Sequence, residues 1–196
     1  MTLLKTNKIK FYLIPFFLGL ISSFSLPPYS FFFINFFTFP FLLFYLISNK
    51  HLGKSSSFCI GWMFGFGYFI SNLYWITNSL TFDETFKPLI PFALILIPLF
   101  LGAFYGAATL VSSLIGLNKN FSSIIIFSTI FSIFEYLRSS VLGGFPWNLA
   151  IFSLTDNLPS IQILSFIGTY SLNLIFITLC LMPTIIFFKY SNKIKI

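Results

Sequence analysis

Glu135 and Arg138 stand three residues apart in an apolar stretch, a spacing that places an acid and a guanidinium side by side on one helix face. Two chemistries fit the pair. One is a structural ion pair that locks its helix, since a lone carboxylate about 10 Å below a membrane surface would be costly. The other is an anion or headgroup site facing outward, because arginine can hold phosphate through parallel hydrogen bonds. Ser128 and Ser139 fall roughly in line with the pair. Immediately beyond lies Gly143-Gly144-Phe145-Pro146-Trp147-Asn148, where glycine and proline force an irregular path and Trp147 suits the headgroup layer as an anchor.

Other chemistries find little support. Cys59 and Cys180 lie in apolar sequence, without CxxC spacing or a nearby histidine, so they read as buried structural thiols and not as a zinc or redox site. His51 stands in a charged loop and reads as solvated. No metal site and no cofactor is expected. The net charge of +7 is spread over short loops and the two ends, with no single basic face, which argues against nucleic acid.

The elements that must position these residues follow from composition. Of 196 residues, 57% are hydrophobic and 8% charged, against about a quarter charged in an ordinary soluble domain. Lipid is the solvent this chain suits. Six apolar stretches, at about 11–26, 31–47, 57–80, 88–117, 121–142 and 159–188, predict an all-α integral membrane protein. The expected architecture is one domain over 1–196, a bundle of about six transmembrane helices with an irregular outer loop after the fifth. Lys5, Lys8, Lys10, Lys50, Lys54, Lys119, Lys189, Lys193 and Lys195 would all fall on one side, which the positive-inside rule makes cytoplasmic. Both termini are therefore expected in the cytoplasm.

The third stretch carries Gly61, Gly65, Tyr68, Asn72 and Trp75 along one helical stripe, and the fourth carries Gly102, Gly106, Thr109 and Ser113. Each contains a GxxxG seam, which predicts close packing of backbones.

Several ordered motifs then resemble the membrane portion of the apolipoprotein N-acyltransferase family. Leu26-Pro27-Pro28-Tyr29 is similar to the family's proline turn after helix one, and Gly65-Phe66-Gly67-Tyr68-Phe69 with Leu73-Tyr74-Trp75-Ile76 resembles its third helix. Phe134-Glu135-Tyr136-Leu137-Arg138 and Gly144-Phe145-Pro146-Trp147-Asn148, in that order, are the most specific part. Gly168-Thr169-Tyr170-Ser171-Leu172-Asn173 resembles a Gly-x-Tyr-Gly-Leu-Ser pattern, with Ser171 and Asn173 as departures.

The resemblance implies a bacterial cytoplasmic (inner) membrane enzyme that moves a fatty acyl group from phospholipid, through a cysteine thioester, to the amino terminus of a diacylated lipoprotein. The family's catalytic residues reside in a nitrilase-like domain that follows its membrane helices, so none is expected among these residues. The chain is expected to be a truncated frame or one half of a split enzyme, with a separate nitrilase-like domain as a partner. Arg138, Trp147 and Trp75 are then candidates to meet the phospholipid headgroup. Glu135, Phe145, Pro146, Asn148 and Asn72 are candidates to position them. Two other classes stay open: a small transporter or channel with Glu135 and Arg138 on a polar path, and a non-catalytic lipid-binding assembly partner.

Overall fold

The computed structural model describes residues 8–141, 146 and 148–193. Every regular element among them is helical. The α-helices are α1 (Lys8–Ser23), α2 (Asn35–Ser48), α3 (Lys54–Asn72), α4 (Ile90–Ile115), α5 (Phe121–Ser140), α6 (Leu158–Gln162), α7 (Leu164–Ile167), α8 (Thr169–Leu181) and α9 (Thr184–Lys193). Short 3-10 turns link several of them, the longest being Tyr74–Thr81 and Glu84–Leu89.

Local chemistry sets the ends. Asn120 accepts a hydrogen bond from the Ser123 backbone N–H at 3.1 Å and caps the start of α5. Gly116, at φ 102°, closes α4 in a left-handed conformation that a side chain would strain. Asp83 accepts from the backbone N–H and hydroxyl of Thr85 at 2.9 and 2.7 Å, which holds its carboxyl below the usual carboxylate range.

Among the described residues three segments are long and apolar enough to cross a membrane: Glu84–Ile115, Phe121–Ser140 and Thr169–Lys189. The apolar helices Lys10–Ser23 and Phe32–Ser48 are shorter. Large apolar side chains cover the outside, as on α4, where Phe92, Ile95, Leu96 and Phe100 are exposed. Such a surface suits lipid and not water.

At the centre stands α3, packed between α1 and α4. A Cβ on Gly65 would come within 2.7 Å of the Gly102 Cα, and one on Gly106 within 3.0 Å of the Phe58 carbonyl oxygen. These glycines let α3 and α4 touch backbone to backbone, as the two GxxxG seams predict. Cross-links then fix the register: the Thr109 hydroxyl donates to the Ser57 carbonyl at 2.8 Å and the Trp62 indole to the Leu99 carbonyl at 2.8 Å. On its opposite side Gly67 meets the α1 backbone at Phe16 and Leu20. An aromatic core joins α2, α4 and α5, with Phe131 at 5.5 Å from Phe39 and 4.5 Å from Tyr105.

Lysines gather at one end of the bundle. Lys50 donates to the Asn118 side chain at 2.9 Å and the Leu117 carbonyl at 3.3 Å, joining two turns there.

Two expected stretches end differently. The third is α-helical only to Asn72 and proceeds as 3-10 turns, in which Thr77, Ser79 and Thr81 donate to carbonyls three residues back. The last, expected at 159–188, is divided into α6, α7, α8 and α9, with Gly168 at φ 80° between α7 and α8.

Candidate functional site

The polar candidates singled out by the sequence lie toward the end of the bundle away from Lys50 and Lys119. Glu135 and Arg138 sit on the last turns of α5, and Arg138 Nη2 lies 3.0 Å from Glu135 Oε2. Their side chains are 1% and 0% exposed. The pair thus lies inside the bundle, within electrostatic reach of Tyr68 and Tyr105. The Arg138 guanidinium also packs over the Phe69 ring.

Beside this core opens a cavity of about 600 Å³. One wall is the end of α3 and the turn after it, with Ser71, Asn72 and Trp75. The facing wall carries Asn148 and Thr155 from the segment after α5, and the Leu26-Pro27-Pro28-Tyr29 turn closes a third side. Pro27-Pro28 is a cis peptide. Aromatic and aliphatic groups share this lining with hydroxyls and carboxamides, a mixture suited to an amphiphilic ligand.

Tyr68 connects the walls. Its hydroxyl donates to the Asn148 carbonyl at 3.0 Å, across 80 positions of chain. Its own carbonyl accepts from Ser71 Oγ at 3.3 Å and from Asn72 Nδ2 at 3.2 Å. Asn148 adopts φ 60°, a left-handed conformation that asparagine tolerates better than most residues. The segment behind it is pinned as well, because the Asn173 side chain on α8 accepts from the Ile151 N–H at 3.1 Å.

The sequence-derived candidates therefore divide into groups. Asn72, Trp75 and Asn148 are brought together on the cavity. Glu135 and Arg138 form a buried pair and are not among its described lining residues. Pro146 is half-buried, while Phe145 and Trp147 lie outside the described residues. Among the described residues no group of three metal-ligating side chains occurs. Cys59 is half-buried on α3 and Cys180 is buried on α8.

Sequence reasoning placed Tyr68 on a packing stripe and missed its hydroxyl. The available signal was a phenol in an otherwise apolar helix, which needs a partner when buried. Thr155 carried no local signal, for it meets Asn72 only through the fold.

Comparison with known proteins supplies the family. Residues 18–182 match the apolipoprotein N-acyltransferase N-terminal domain. The apolipoprotein N-acyltransferase of Rickettsia typhi is 32% identical over 185 residues, covering 94% of this chain and 36% of the relative. That of Allorhizobium ampelinum is 37% identical over 138 residues, covering 66% of this chain and 26% of the relative. That of Rhodopseudomonas palustris is 31% identical over 172 residues, covering 86% of this chain and 32% of the relative. The chain thus spans about a quarter to a third of the length of these relatives, on their N-terminal side. With its helical core, its lipid-suited surface and this match over most of its length, the chain belongs to the apolipoprotein N-acyltransferase family.

Proposed function

We propose that this chain is the lipid-handling membrane part of an apolipoprotein N-acyltransferase, which presents phospholipid and diacylated lipoprotein to a nitrilase-like catalytic domain. Residues 1–196 form one domain of about six spans in the bacterial inner membrane, with both termini cytoplasmic and an irregular outer segment after α5. The cavity bounded by Asn72, Trp75 and Asn148 holds the polar end of the lipid, while the exposed apolar helices around it meet the acyl tails. Trp147 is the second proposed headgroup contact, after Trp75. Arg138, buried against Glu135 and Phe69 at the end of α5, positions the segment that carries Pro146 and Asn148 for the headgroup.

The observation that carries this reading is the amphiphilic cavity at the bundle end opposite the lysines, in a chain that matches the family over residues 18–182. The chemistry itself belongs to the catalytic domain: Cys59 and Cys180 lie within apolar helices, and among the described residues neither belongs to a group of three His, Cys, Asp or Glu side chains. A chimera tests the proposal. With residues 1–196 replacing the matching portion of the Rickettsia typhi relative, the protein should acylate a diacylated lipopeptide from phospholipid. A well-expressed chimera that forms no acyl-enzyme would overturn it.

A further inference from the structure

One side chain behind the cavity ties one of its walls to another. Tyr68 is 2% exposed and its ring packs among Phe64, Phe69 and Tyr105, at centroid distances of 6.5, 5.2 and 6.0 Å. A ring clamped on three sides fixes where its hydroxyl ends, and that hydroxyl holds the Asn148 carbonyl at 3.0 Å. The same residue's carbonyl takes the hydroxyl of Ser71 and the carboxamide of Asn72. Three lining residues from two walls thus meet Tyr68, Asn148 through its hydroxyl and Ser71 and Asn72 through its backbone carbonyl, although Tyr68 itself does not line the cavity among its described residues.

We infer that Tyr68 is a positioning residue for lipid recognition: by holding the Asn148 carbonyl with its hydroxyl, it sets the distance between that wall and the helix wall carrying Ser71 and Asn72, and so the spacing of the groups that read the lipid's polar end. The inference rests on the lipid-handling reading above. Its physical content is that the hydroxyl does more than satisfy a buried carbonyl. Loss of the hydroxyl leaves the ring stack intact and frees Asn148, whose left-handed backbone is held on the cavity side by this bond. Asn72 stays on the helix wall, so the two carboxamides lose their common register.

The chain contains its own control. Tyr45 on α2 also donates its hydroxyl to a backbone carbonyl of a distant segment, that of Phe11 at 2.8 Å, and it does not line the cavity. Tyr68→Phe and Tyr45→Phe therefore each delete one bond from a phenol to a distant carbonyl, one at the cavity from a buried ring and one elsewhere from a half-buried ring.

The experiment uses the full purified chain in detergent and follows binding of a fluorescent phosphatidylethanolamine, thermal stability, and amide exchange of residues 148–155. Both variants should lose stability, Tyr68→Phe at least as much as Tyr45→Phe because its ring is the more buried. Only Tyr68→Phe should weaken lipid binding, by about tenfold or more, and speed exchange in 148–155. Tyr68→Phe with wild-type lipid affinity, or both variants weakening it equally, would overturn the inference. Absence of lipid binding in the unmodified chain would instead overturn the lipid-handling reading on which it rests. If Tyr68→Phe does not fold, Asn72→Leu with Thr155→Val carries the test: it should weaken lipid binding by about tenfold without changing exchange at Ile151. Unchanged affinity there would equally count against the inference.

Discussion

The Arg138 guanidinium carbon lies 5.0 Å from the centre of the Phe69 ring, so the chain's one arginine is gripped by an aromatic face on α3 as well as by an acid on α5. Two helices share the cost of burying that charge.

Removing either partner should therefore be worse than removing both. Arg138→Ala strands the Glu135 carboxylate in the bundle and should destabilise by about 3–5 kcal/mol. Glu135→Gln with Arg138→Gln leaves no charge behind and should recover most of that loss. Unfolding of the purified variants in detergent measures both. Stability in the double variant as poor as in Arg138→Ala would show that the ion pair is not the source of the effect.

At the α3–α4 seam a single methyl group should be felt. Gly65→Ala puts a carbon 2.7 Å from the Gly102 Cα and should cost about 1–3 kcal/mol, while Gly65→Val should prevent accumulation of folded protein. Phe92→Leu, on the exposed face of α4, should be nearly silent. Thermal unfolding of Gly65→Ala at the wild-type midpoint would contradict the close approach.

How much of this was legible beforehand varies by residue. Helical periodicity put Gly61 and Gly65 on one face and Gly102 and Gly106 on another, and those faces do meet, because a seam of small residues is written locally in each helix. The partnership of Glu135 and Arg138 was equally local, being three residues of one helix. Its depth was not. Tyr68, Phe69 and Tyr105 come from α3 and α4, and nothing in the sequence of α5 says which neighbours cover it. The end of α3 at Asn72 was hidden for another reason: apolar periodicity persists through Trp75 and Ile76, while the backbone tightens into 3-10 turns as hydroxyls compete for its carbonyls.

Topology yields a direct check. A reporter fused within residues 50–54 should be active only on the cytoplasmic side, and one within 83–87 only on the outer side, because the lysines divide unevenly between the two ends. The same side for both fusions would remove a span between them.

The two thiols should be dispensable. In an active chimera, Cys59→Ser and Cys180→Ala should each retain turnover within about twofold, with any loss in Cys180→Ala appearing as lower stability, since its side chain is buried. Turnover abolished by Cys59→Ser in a folded chimera would relocate the chemistry into this chain.

The glycines of α3 have a consequence for the order of synthesis. They face both neighbours, Gly67 against α1 and Gly61 and Gly65 against α4, in a helix that is not among the three described segments long and apolar enough to cross a membrane. Alone in lipid, α3 gains little. It leaves the ribosome after α1 and before α4, so one seam can close at once while the other waits for a helix not yet made. On the six-span proposal its residence in the bilayer is then a property of the growing group, and a pause or substitution that delays α4 should injure α3 without touching it.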